Sequence, residues 1–181
     1  MPVDTRLAYD DYCLLPEDGK RREIIEGDLF VTPSPLTPHQ RAVGRLFMHV
    51  GLFVETHRLG EVFVAPFDVV FSEFDVVEPD ILYISNARSS ILTKKNFQGA
   101  PDLVVEVLSE GTEKRDRTIK LKLYGKFGVN EYWTIDPNGP SAEIYRRSEE
   151  GLTLAVRLSA EDPLSSPMFP GFTLLLRELT D

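Results

Sequence analysis

The sequence predicts an α/β fold, a mixed β-sheet flanked by helices, on three observations. Apolar residues recur at helical spacing after Pro38, three strand-like runs follow, and a second helical stretch precedes a fourth run. No repeat, low-complexity stretch or linker divides the chain, and its 181 residues lie in the usual range for one core, so residues 1–181 are expected to form a single domain.

Residues 22–31 (REIIEGDLFV) read as a hairpin around Glu26-Gly27, where glycine supplies a positive φ. After the proline-rich loop TPSPLTP, a helix is expected to start with Thr37 as N-cap, Pro38 at the first helical position and Gln40 closing a capping box. Val43, Leu46, Phe47, Val50 and Val54 form its apolar stripe. EVFVAPFDVVF and VVEPDILYIS have strand composition and read as one antiparallel pair turning through Ser72-Glu73-Phe74-Asp75. DLVVEVLS, rich in β-branched residues, is the third strand. A helix from about Thr112 to Phe127, closed by Gly128, leads to the strand EYWTIDP. Asp136-Pro137-Asn138-Gly139 then turns the chain into AEIYRR, and the tail carries short strands and Pro-Gly turns.

Composition narrows the function. Apolar residues at 42% and charged residues at 27% are those of a globular chain, not a disordered one. No apolar stretch approaches the roughly 20 residues of a membrane span, and the opening MPVDTRLAYDDYC has no signal layout, so a cytoplasmic protein with no membrane partner is expected. Cys13 has no second cysteine to pair with, and His39, His49 and His57 lack the i,i+4 spacing of a helical metal pair, so no soft-ligand site is expected. A net charge of −9 opposes nucleic-acid binding on average. Locally, Lys114, Arg115, Arg117, Lys120, Lys122 and Lys126 outnumber Glu113 and Asp116, a basic strip in an acidic chain.

The chemistry centres on Glu106, a carboxylate inside the otherwise apolar run Leu103 to Leu108. Such a group costs several kcal/mol to desolvate unless it is paired or binds a cation. Asp80, after Pro79 at the head of ILYIS, can share an ion with Glu106 if their strands are neighbours at about 4.8 Å. Asp102 cannot, because four residues along one strand separate it from Glu106 by roughly 13 Å. On the helix, taking Asp116 as zero, Ile119, Leu123 and Phe127 fall at about 300°, 340° and 20° and Lys120 at about 40°, so Lys120 is the lysine expected to meet Glu106. Asp116 reads as its i,i+4 ion-pair partner. Tyr124 and Trp133 read as core, and Asp68 has no evident partner.

Pro79-Asp80, Glu106 and a helical lysine beyond resemble the PD-(D/E)XK nuclease superfamily. REIIEGDL, SPLTPHQ, EVFVAPFDVVF, VVEPDILYIS, GAPDLVVEVLS, KRDRTIKLKLYGKFGVNEYWTIDP and SPMFPGF are, more narrowly, similar to the bacterial Uma-type family of restriction-endonuclease-like proteins. The resemblance implies a restriction-endonuclease-like core with an N-terminal hairpin and extra C-terminal strands. It implies an endonuclease hydrolysing DNA phosphodiesters with Mg²⁺ (or Mn²⁺), held by Asp80, Glu106 and the carbonyl of Val107. Lys120 would orient or activate the attacking water and stabilise charge on the transition state, Glu23 would reach the ion directly or through water, and a homodimer is the default. The superfamily pattern places a lysine two residues after the acidic residue, where this chain has Leu108. That departure, with the charge of −9, supports the alternative of an inactive nuclease-fold module that binds nucleic acid or protein.

Overall fold

Glu26 and Gly27 both take positive φ, 54° and 87°, the geometry a two-residue hairpin turn requires, and they join β1 (Arg21–Ile25) to β2 (Asp28–Thr32). The computed structural model describes residues 6–180. Residues 1–5, part of the opening stretch read for a signal, and Asp181 lie outside the described residues. A short helix α1 (Tyr9–Tyr12) precedes the hairpin, and α2 (Thr37–His57) follows it. The strands β3 (Gly60–Val64), β4 (Val69–Ser72), β5 (Asp75–Val77), β6 (Ile81–Ser85), β7 (Phe97–Gln98) and β8 (Leu103–Val107) come next. The chain then forms α3 (Glu113–Arg115), a π-helical segment (Asp116–Lys120) and α4 (Leu121–Phe127). It closes with β9 (Glu131–Asp136), β10 (Ser141–Ser148), β11 (Gly151–Ser159), β12 (Pro163–Leu164) and β13 (Leu174–Leu175).

Two main sheets organise these elements. The larger has six strands in the order β11-β10-β9-β8-β6-β3, with β8 and β9 parallel and its other neighbours antiparallel. The smaller has the order β2-β1-β5-β4-β7. One face of the six-stranded sheet (Tyr83, Val105, Trp133, Ile135) packs on the Leu46–Val50–Val54 stripe of α2 and on the C-terminal Phe169 and Phe172. Its other face (Leu82, Ile84, Val104, Tyr132) packs on Leu123 and Tyr124 of α4 and on Val69, Val77 and Phe97 of the smaller sheet. Alternation along β8 puts Glu106 on this second face, with Val104.

The α/β class expected from the sequence is the one found, a mixed sheet flanked by few helices. Three local expectations change. The runs 61–71 and 76–85 are each divided between the two sheets, because the segments around Pro66 and Pro79 lack the N–H that a continuous ladder needs. Thr37 is the first helical residue and Leu36 the N-cap, without a side-chain cap hydrogen bond, so the capping box is not formed. Ile119 is 40% exposed rather than in the core stripe. The π-helical turn at Asp116–Lys120 adds a residue to one turn, which voids the uniform 100° step behind that stripe.

Gly60, at the start of β3, has φ of 154°, and a Cβ there would collide with the carbonyl oxygen of Ile84 on the paired strand β6. Gly60→Ala is expected to cost at least about 2 kcal/mol in urea unfolding, because β3 must leave β6 or adopt a strained backbone.

Candidate functional site

β6 and β8 are antiparallel with Ile81 across from Val105, so one further step sets Asp80 across from Glu106. Both carboxylates are 3% exposed. They line one cavity of about 430 Å³ together with Arg21, His39, Lys120 and Arg115. Alternation along β1 sends Arg21 and Glu23 to one face of that strand, and both side chains reach this site.

The site has two halves. In the first, the Lys120 amine donates to Glu106 Oε1 at 2.8 Å and lies 2.8 Å from Glu23 Oε1 and 3.6 Å from Asp116 Oδ1. The Tyr124 hydroxyl donates to the same Glu106 oxygen at 2.7 Å. Arg115 lies 3.4 Å from Glu23 Oε2, donates to Thr32 Oγ1 and covers the Phe30 ring, which ties the hairpin to the helix. In the second half, Asp80 Oδ2 accepts the Val107 backbone N–H at 2.9 Å and stands 3.1 Å from His39 Nε2. Asp80 Oδ1 accepts Arg21 Nη1 at 2.9 Å.

The electrostatics differ between the halves. Burial pushes Glu106 up to about 8, against the pull of Lys120, and Asp116, Asp80 and Glu23 push it the same way. Burial also works against Asp80, but the hydrogen bond from His39 and the charge of Arg21 outweigh it and hold that carboxyl at about 2. Burial opposes the charge on Lys120, yet Glu106, Glu23 and Asp116 together raise it above the ordinary lysine value, so its amine stays protonated.

Of the residues singled out from the sequence, the structure brings Glu23, Asp80, Glu106, Lys120 and Val107 to one place. Asp102 stands apart, accepting from the Ser85 N–H, Arg88 and Asn130. The basic strip is largely neutralised. Arg115 is bound to Glu23, Arg117 to Glu113 and Glu143, and Lys126 to Asp75. Asp68 does have a partner, the Tyr12 hydroxyl at 3.0 Å, which also lies 3.1 Å from Glu78 Oε1. Sequence reasoning missed Arg21, Arg115, the His39–Asp80 contact and the hydroxyl of Tyr124. For Arg21 a signal existed, the alternation Arg21, Glu23, Ile25 in a strand; the His39–Asp80 contact spans 41 positions and leaves none.

Oxygen donors dominate, as a hard divalent cation requires. Glu23 Oε2 and Asp116 Oδ1 are buried without a hydrogen-bond partner, and the raised Glu106 marks a local excess of negative charge. Among the described residues no three His, Cys, Asp or Glu side chains are grouped to hold an ion between them. Asp80 and Glu106 are carboxylates, oxygen donors of the kind a hard divalent cation takes.

A family model described as "Putative restriction endonuclease" (Uma2) matches residues 9–177. A solved structure titled as a putative nuclease belonging to DUF820, from Anabaena variabilis, is similar with a TM-score of 0.80 at 21% identity, over 96% of this chain and 97% of that one. No curated protein matches.

Lys120→Met would leave Glu23, Glu106 and Asp116 buried without their ammonium. Denaturant unfolding at neutral pH is expected to show a loss of about 3–5 kcal/mol, and adding Glu23→Gln should recover part of it. The folded Glu106 carboxyl at about 8 lies above its ordinary 4.5. Its contribution to stability is thus complete below about pH 4.5 and is lost as the pH rises through about 8. The wild-type chain should lose stability relative to Glu106→Gln across that window, and parallel curves for the two proteins would contradict the assignment.

Proposed function

Because the chain belongs to the Uma2 family, described as "Putative restriction endonuclease", we propose that it is a divalent-cation-dependent endonuclease hydrolysing phosphodiester bonds in DNA. The observation that carries the reading is Asp80 set across from Glu106 at the wall of one cavity, with Lys120 on the second carboxylate.

Asp80, Glu106 and the carbonyl of Val107 would hold Mg²⁺ or Mn²⁺. A bound cation of this kind supplies Lewis-acid stabilisation of the phosphoryl oxygens and a more acidic water. Lys120 replaces the lysine absent at position 108, where Leu108 is part of the buried core. Held protonated by three carboxylates, its amine orients the attacking water as a donor and offsets charge that develops on the phosphorus oxygens; it does not take the water's proton. Tyr124 fixes the rotamer of Glu106 through its hydroxyl. Glu23 places Lys120 and contributes through water.

The alternative, a nuclease fold that binds without cutting, is favoured by one observation, the neutralisation of most of the basic strip. A plasmid-nicking assay separates the two. The wild type is expected to nick DNA with Mg²⁺ or Mn²⁺ and not with chelator. Asp80→Asn and Glu106→Gln should each lose at least about a hundredfold in rate, while Lys122→Met, on an exposed helix position, stays near wild type. Metal-independent or absent nicking by the wild type would sink the enzyme reading.

A further inference from the structure

Asp80 holds its partners unequally. A carboxylate offers about four lone-pair sites, and three are used here. Oδ2 accepts the Val107 N–H, part of the β8 backbone, and meets Nε2 of His39, a buried side chain in the otherwise exposed first turn of α2. The Val107 N–H cannot leave without moving β8, and the His39 ring is short and buried. Oδ1 accepts only Arg21, a long side chain on the first residue of β1 that is 21% exposed and lines two cavities, of about 430 and 660 Å³, adjoining Asp80.

The remaining contacts of Arg21 are both with Glu78. Nη2 donates to the carbonyl of Glu78. Nε is ion-paired with Glu78 Oε2 at 3.5 Å and is buried without a hydrogen bond. On its long side chain the guanidinium can swing from Asp80 without moving the backbone, giving up its contacts with Glu78 as it does so. Its planar fork matches a phosphate in two parallel hydrogen bonds as well as it matches a carboxylate.

We propose that Arg21 competes with a divalent cation for Asp80 Oδ1 and, once displaced, turns its guanidinium onto the substrate phosphate. The inference rests on the metal-dependent reading of the site given above. Arg21 is then a catalytic residue whose position is set by cation binding. Before that event it offsets the charge of Asp80, and after it the same positive charge faces the adjoining cavities. Cation and phosphodiester consequently reinforce one another's binding, by the same factor in either direction.

The test uses Ca²⁺ binding by titration calorimetry and binding of a fluorescent single-stranded DNA oligonucleotide by anisotropy, with and without Ca²⁺, on the full chain. Arg21→Gln should bind Ca²⁺ on the order of tenfold tighter than wild type, the scale of removing one partly screened charge. Its oligonucleotide affinity should match wild type without Ca²⁺ and fall on the order of tenfold below it with Ca²⁺. Arg21→Lys keeps the charge without the fork and should lie between the two, which guards against a Gln variant that misfolds. Equal weakening of oligonucleotide binding with and without Ca²⁺ would mean a fixed anion contact and overturn the exchange, as would no oligonucleotide binding in either condition. If neither wild type nor Arg21→Gln binds Ca²⁺, the metal-dependent reading falls and takes the exchange with it. If both bind Ca²⁺ equally and Glu106→Gln abolishes it, the metal site stands and the exchange alone falls.

Discussion

Lys120 brings one ammonium, 2% exposed, to a point where carboxylates from three elements meet: Glu23 from the N-terminal hairpin, Glu106 from the central strand β8 and Asp116 from its own helix. Each acid is buried, and each would be expelled from an apolar interior without this cation or a hydrogen bond to offset its charge. The contact therefore joins the two sheets through a charge rather than through hydrophobic area alone. It also leaves a deficit, since one positive charge does not neutralise three acids. Arg115 removes part of that deficit at Glu23, and the high proton affinity of Glu106 expresses the rest.

The helix geometry follows from the same demand. In an unbroken α-helix, Asp116 and Lys120 would sit one above the other at a fixed angle to Ile119 and Leu123. The π-helical turn widens the ring at this point, and both polar residues are buried while Ile119 is released to solvent. From Leu121 the regular helix resumes, with Leu123 and Tyr124 in the core and Gly128 closing it in the left-handed conformation. The core rows of α4 thus stay in place, and the adjustment is confined to the five-residue segment whose two buried charged residues, Asp116 and Lys120, enter the site.

How much of this was legible in the sequence depends on the range of the cause. Glu106 stood out because a single charge interrupts an apolar strand, and Asp80 because a proline marks the strand start next to it. Both signals are local. Lys120 was reached by a helical wheel that misplaced Ile119, since nothing in DRTIK announces a π-turn to a uniform angular step. Its burial follows from the acids it meets rather than from the wheel. The division of two strand-like runs between separate sheets was hidden for a similar reason: apolar patterning says that a segment is extended, not which partner it finds. The contacts of Arg21 and His39 with Asp80 span 59 and 41 positions, and beyond the alternation along β1 that turns Arg21 to the face of Glu23, no local pattern announces them.

The two halves of the site behave as complementary charge reservoirs, and this bears on how an acidic chain can address a polyanion. The basic strip that the sequence offers as a nucleic-acid surface is spent on internal ion pairs, leaving Lys114 and Lys122 as its members without an ion pair among the described residues. On the proposed reading, attraction for a phosphodiester would then come less from a broad field, which a net charge of −9 opposes, than from a few groups concentrated at Asp80 and Glu106. A divalent cation adds two positive charges at that point, and a guanidinium turned away from the carboxylate carries the charge it already had toward the phosphodiester. Recognition would be switched on locally by occupation of the carboxylates, and the rest of the surface could remain acidic without preventing it.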